Sequence, residues 1–300
     1  MSNATELYAL NLTEATALVR YSGETTVLVQ GHMGTGKSTM LKVLAQDLPT
    51  HTPCYFDCTT KDLGDITIPQ IQMLDEQGFV RYVTNEELGV HLNKPIILMI
   101  DEYGKANPAV KNALLRVMLE GKIGSYTLHP DSLRFATTNL GSEGVGDLLP
   151  AHARNRLTII TTRKPTNVEW IEDFAINHGI DHTMIAWVAD TPQLFASFTD
   201  IRDPKENLMI YHPADPSRVS FVTPRALEKA SNWLKIRDKL SDKVLMSALI
   251  GTIGAEAASN LFAYVRVADQ LPSLDQIKKD PMNAKVPDSP SATCMVVHRT

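Results

Sequence analysis

The stretch VLVQGHMGTGKSTM, residues 27–40, decides how the rest of the chain is read. An apolar run stops at a glycine-rich turn, and the turn closes on Lys37, Ser38 and Thr39. From Gly31 to Ser38 the spacing matches the phosphate-loop pattern G-x-x-x-x-G-K-[ST], with a strand pattern before it and a helix pattern after it. Glycines let backbone N–H groups turn toward a β-phosphate, and the helix N-terminus adds its positive end. Lys37 is placed to reach the β- and γ-phosphates, and the Ser38 hydroxyl to bind Mg²⁺. The candidate binding set is Gly31, Gly34, Thr35, Gly36, Lys37, Ser38 and Thr39. With glycine at roughly 7% of an average chain, a chance match in a chain of this length is on the order of one in a hundred. Such a loop names the ligand and not the job.

Working outward, short apolar runs alternate with helical stretches as far as Thr162. TTVLVQ (25–30), PCYFDC (53–58), KPIILMIDE (94–102), LRFATTN (133–139) and LTIITT (157–162) read as strands. Continuous β-rich runs separated by helices predict a parallel sheet covered on both faces. One of those helices is NPAVKNALLRVMLEG (107–121), with Pro108 in its first turn and Gly121 at its end. GFVRYVTNEELG (78–89) reads as a short hairpin and a helical turn, a longer insertion than a crossover needs. After Arg163 the pattern turns helical. Thr166 and Glu169 form a capping box, and TPRALEKASNWLKIRDKL (223–240) and the apolar stretch 241–271 read as helices. The expected organisation is an αβα core over 1–162, a helical lid over 163–272 and a proline-rich tail over 273–300.

Two further strand ends carry chemistry. Asp101 and Glu102 close a buried apolar run, at the sheet edge where ligands of open α/β folds gather. There Asp101 would hold Mg²⁺ through water, and Glu102 would polarise a water attacking the γ-phosphate. Asn139 ends the strand LRFATTN, where a carboxamide could orient that water or touch the γ-phosphate.

Composition narrows the class. A hydrophobic content of 43% fills a core, and a net charge of −5 argues against a protein that coats nucleic acid by bulk charge. Three cysteines do not make a disulfide framework in 300 residues, so Cys54, Cys58 and Cys294 read as reduced thiols of a cytoplasmic protein. No signal peptide and no membrane-spanning run is visible. The sequons at Asn3 and Asn11 therefore read as accidental. His178 and His182 are split by Gly179 and do not suggest a metal site, and Trp170, Trp187 and Trp233 read as core.

The order of phosphate loop, Asp101-Glu102 and ATTN, followed by LLPAHARNRL (148–157), resembles an AAA+ ATPase. DEYGKANPAVKNALLRVMLEG (101–121) is similar to the MoxR branch, and FVTPRALEKA (221–230) resembles the start of that family's helical lid. The resemblance covers roughly residues 12–270. It implies ATP and Mg²⁺ as cofactors, Asn139 as sensor 1 and Arg225 as sensor 2. Arg156 matches the arginine finger that reaches a neighbouring subunit's nucleotide, with Arg154 as its rival. The family's Asp-Arg-Phe stands here as Asn155-Arg156-Leu157. The resemblance further implies a ring homo-oligomer, a hexamer or similar, that remodels a protein client such as a von Willebrand A-type partner. The other readings are a DNA-directed AAA+ ATPase of the loader or initiator kind, for which Arg81 and Tyr82 are the available contacts, and a slowly hydrolysing nucleotide switch.

Overall fold

Val27, Leu28 and Val29 are fully buried, and alternation sends their side chains to opposite faces of a sheet that is covered on both. The computed structural model describes residues 8–74, 77–143, 151–269, 274–280 and 282. The sequon at Asn3, the LLP of residues 148–150, and Cys294 with residues 283–300 of the tail lie outside the described residues. The chain forms two compact units, Met1–Arg163 and Lys164–Thr300.

In the first unit, β1 (Val27–Gly31), β2 (Thr52–Asp57), β5 (Ile96–Asp101), β8 (Leu133–Asn139) and β9 (Thr158–Thr162) form one sheet in the order β2-β5-β8-β1-β9. Every pairing in it is parallel. Leu28, Phe56, Leu98 and Ile100 pack on one face with α3 (Pro108–Glu120), through Val110, Leu114, Val117 and Met118. Val27, Val29, Ile97, Met99 and Phe135 pack on the other with α1 (Leu12–Arg20) and α2 (Thr39–Asp47), through Ala15, Val19, Met40 and Leu44. Each fully buried side chain of this kind contributes about 1.5–3 kcal/mol relative to exposure. This is an α/β fold with a helical C-terminal region, as the alternation of runs predicts. Asn107 caps α3 by accepting from the Val110 N–H, Pro108 opens the helix, and Gly121 closes it at φ 62°. Asn11 of the second sequon is occupied as the cap of α1, its side chain accepting from the Glu14 N–H.

The insertion differs from expectation. It is a full antiparallel hairpin of β3 (Thr67–Leu74) and β4 (Gln77–Thr84), and β3 was not legible as a strand. The small hairpin β6 (Lys122–Ile123) and β7 (Tyr126–Thr127) lies beside it: the Arg81 guanidinium sits 5.5 Å from the centre of the Tyr126 ring. Within unit 1 a one-turn helix, α4 (Ala151–Arg154), precedes β9.

In the second unit, α5 (His182–Asp190), α6 (Pro224–Leu234), α7 (Asp242–Ile253) and α8 (Ala255–Asp269) enclose a core that includes Trp170 and Trp187. The Trp187 indole N–H donates to Asn260 Oδ1 at 2.6 Å. The capping box of Thr166 and Glu169 is present, but from Trp170 to Ala175 the helix winds as a π-helix, with Ile176 N–H donating to the Ile171 carbonyl. His178 ends that segment, stacked on Phe174, and Gly179 at φ 60° separates it from His182. Trp233 is 39% exposed, which corrects its reading as core. α6 is capped by Thr223, with Pro224 at its first position.

The stretch 241–271 breaks at Gly254, which has φ 85° and ψ 161°. A Cβ there would lie 2.6 Å from the Ser220 carbonyl oxygen. Gly254→Ala is therefore expected to lower stability by about 2–4 kcal/mol, combining backbone strain with a clash against unyielding main chain. Chemical denaturation of the full chain checks this, and an unchanged midpoint would refute it.

Candidate nucleotide-binding site

β1 delivers the loop to the carboxyl edge of the sheet, where Gly31 pairs in register with Asn139 of β8 and Thr162 of β9. Gly31 is required for close approach, since a Cβ would lie 2.0 Å from Thr162 Oγ1. The turn itself uses left-handed backbone at Gly34 (φ 69°) and Gly36 (φ 97°), and Ser38 then leads into α2. Thr35 Oγ1 donates to the His32 carbonyl at 2.9 Å, and Thr39 Oγ1 to the Gly36 carbonyl at 2.6 Å.

Lys37 is buried, and its ammonium folds back over the loop. It donates to the Gly31 carbonyl at 2.9 Å, to the His32 carbonyl at 2.8 Å and to Asn139 Oδ1 at 2.9 Å. Asn139 turns its amide nitrogen the other way, donating to Glu102 Oε1 at 3.1 Å. One carboxamide thus connects the phosphate loop with the acidic pair.

Asp101, buried at the end of β5, is the most heavily bonded carboxylate of the site. Its Oδ2 accepts from the Tyr55 hydroxyl at 2.8 Å and from the Ser38 hydroxyl at 3.3 Å. Its Oδ1 accepts from the Glu102 N–H at 3.0 Å and from Thr137 Oγ1. Burial first, then the hydrogen bond to Asp101, holds the Tyr55 hydroxyl well above the usual phenol range, so it stays a donor at neutral pH. Ser38 and Asp101 present hard oxygen donors side by side, a set that suits Mg²⁺.

Glu102 sits in left-handed backbone, at φ 53°. For a residue with a Cβ this costs about 1–2 kcal/mol. Its Oε2 is buried and accepts no hydrogen bond, although the Lys105 ammonium lies 3.3 Å away. A strained, half-buried carboxylate with an open lone pair at a sheet edge is the arrangement a general base needs.

Tyr55, Thr137, Lys105 and Glu143 belong to this neighbourhood and were not singled out by sequence. Glu143 pairs with His32 and accepts from the loop backbone (below). Arg154 closes α4 and Arg156 follows it, both exposed. Arg225 lies in the second unit, exposed on α6, where it lines a groove of about 670 Å³ with Phe221, Lys229, Trp233 and Ile236. Cys54 and Cys58 are buried free thiols, and burial pushes Cys58 up to about 12, so neither acts as a nucleophile at neutral pH. Among the described residues no cluster of His, Cys, Asp and Glu could hold a metal by itself.

A parallel sheet of this order, with a phosphate loop at the carboxyl end of β1 and a helical second unit, defines an α/β protein of the P-loop NTPase class. The chain is similar to the chaperone protein ClpB 2 of Thermosynechococcus vestitus, at 24% identity over 175 residues. That match takes in 54% of this chain and 20% of the relative, so the chain spans about a fifth of the length of that protein. It supports the AAA+ resemblance at the level of the class. Two variants of RuvB from Thermotoga maritima are similar among solved structures. One shares 14% identity at a TM-score of 0.40, covering 86% of this chain and 70% of that chain. The other shares 17% at 0.42, covering 91% and 76%. No family model matches the chain. Among the described residues no helix is long and apolar enough to cross a membrane.

Proposed function

We propose that the chain is a Mg²⁺-dependent AAA+ ATPase of the MoxR-like kind, acting in a ring on a protein client. The observation that carries this is the Lys37–Asn139–Glu102 chain of hydrogen bonds, which sets a phosphate-binding cation and a general base on the two sides of one sensor amide. Lys37 exchanges its carbonyl partners for β- and γ-phosphate oxygens when ATP enters. Glu102 Oε2 takes the proton of the attacking water as the oxygen–phosphorus bond forms and the bond to the ADP oxygen breaks. Ser38, and Asp101 through water, would hold Mg²⁺, which when bound neutralises phosphate charge. Tyr55 and Thr137 fix the Asp101 carboxylate for that task. Arg156 is assigned to a neighbouring subunit's site and Arg225 to sensing nucleotide from the lid, both on the family resemblance.

A protein client fits better than DNA. The face of the β3–β4 hairpin that carries Ile71 (80% exposed), Met73, Val80 and Tyr82 is apolar and open, whereas Arg81 is engaged with Tyr126. A ring of six and a von Willebrand A-type partner follow from the resemblance alone.

The test is ATP turnover against protein concentration, for the wild type beside Arg156→Ala and Arg154→Ala. Specific activity is expected to rise with concentration, and Arg156→Ala to lower kcat by about 10³ while nucleotide still binds, the range seen for arginine fingers. Flat turnover per subunit with neither arginine mattering would sink the shared site and leave a self-contained switch. Loss with Arg154→Ala alone would move the finger by two positions.

A further inference from the structure

His32 occupies a variable position of the phosphate-loop pattern. The structure gives it a buried acidic partner 111 residues away: His32 Nδ1 lies 2.8 Å from Glu143 Oε1. The other oxygen of the same carboxylate, Oε2, accepts from the Met33 N–H at 2.8 Å. The Glu143 side chain is 1% exposed and that of His32 8%. A buried carboxylate is costly unless both oxygens are satisfied, and here each oxygen is spent on the first turn of the phosphate loop. The two oxygens of one carboxyl group thus hold ring and backbone together.

The place of Glu143 in the chain matters as much as its contacts. It follows β8 by four residues and closes a short turn in which its N–H donates to the Leu140 carbonyl at 2.9 Å. At the start of that turn Asn139 accepts from Lys37 at the far end of the loop. One five-residue segment, 139–143, therefore grips both ends of the phosphate loop.

We propose that Glu143 is a positioning residue that holds the His32–Met33 turn in its phosphate-accepting shape and ties the loop to the segment carrying Asn139. A carboxylate beside an anion site opposes phosphate by its charge. It is tolerated because the shape it imposes outweighs that repulsion. Shape and charge are separable: Glu143→Gln keeps an acceptor for Met33 and can donate to the ring where Nδ1 is unprotonated, while Glu143→Ala removes both contacts.

This proposal rests on the ATP reading, so the experiment has a readout that does not. For the full chain, amide hydrogen exchange of the 31–37 loop is measured without nucleotide, beside the affinity for a fluorescent ATP analogue and kcat and KM for ATP. Glu143→Ala is expected to speed exchange at Met33 by about tenfold or more, and to raise Kd and KM together by about tenfold with kcat changed far less. Glu143→Gln is expected to stay within about threefold of wild type in all of these, since its contacts survive. His32→Ala, which removes only one contact, is expected to move exchange and KM the same way by a smaller factor, and it stands in should Glu143→Ala not fold. Wild-type exchange and affinity in Glu143→Ala, or in His32→Ala if that alone folds, would overturn the proposal. Tighter binding by both Glu143 variants would also overturn it, showing an opponent of phosphate and not a brace. A wild type that does not bind the analogue would sink the ATP reading, and Met33 exchange would still judge the brace.

Discussion

Glu102→Gln is expected to lower kcat by about 10²–10³ while leaving ATP affinity within a fewfold of wild type, because it removes the proposed general base and little binding. The amide still accepts from Asn139 Nδ2 through its carbonyl oxygen, so the sensor contact survives. What is lost is the basic lone pair on Oε2, the buried oxygen that accepts no hydrogen bond and faces the Lys105 ammonium at 3.3 Å. Single-turnover hydrolysis beside equilibrium binding separates the two effects. Unchanged turnover would remove Glu102 from the chemistry. Glu102→Gly supplies a second signature: it relieves left-handed backbone worth about 1–2 kcal/mol and should hold or raise stability while hydrolysis disappears. A strained residue whose replacement stabilises the fold and abolishes activity is held there by function.

Lys37→Ala is expected to abolish measurable ATP binding at ordinary concentrations. Two charge-assisted bonds to phosphate, at about 1.5–3 kcal/mol each, correspond to at least a hundredfold in Kd. The nucleotide-free protein should also suffer, since Lys37 serves two loop carbonyls and Asn139 Oδ1 inside a buried cluster. Removing that donor from a buried polar cluster costs about 1–3 kcal/mol, which a denaturation midpoint reports. Lys37→Arg is not a conservative control, because a planar fork cannot meet the same carbonyls as a compact ammonium. Nucleotide affinity near wild type in a folded Lys37→Ala protein would mean that the loop does not bind phosphate as assigned.

Much of the first unit could be read along the chain because its signals are local. Val27–Val29 and Ile96–Ile100 are buried without interruption, so they appear as unbroken apolar runs, and Asn107-Pro108 and Gly121 bracket a helix within fifteen residues. β3 escaped because its residues, Pro69 among them, face solvent on both sides, so no buried stripe imposes a period of two. Trp233 escaped because a spacing on α6 does not say whether a neighbour covers it, and none covers it fully. The π-helical turn at Trp170–Ala175 has no local signature, since the same residues would serve an α-helix.

The amino-acid order by itself determined the α/β alternation, the phosphate-loop pattern and the candidate site residues Lys37, Ser38, Asp101, Glu102 and Asn139. Each of these lies inside a contiguous pattern of strand, turn and helix. Only the tertiary structure decided which side chains tune them. Tyr55 reaches Asp101 across 46 residues, Thr137 across 36, and Glu143 reaches His32 across 111. Those contacts depend on strand order and parallel register, which set long-range neighbours through the burial of whole faces and leave no trace in the spacing of the residues concerned.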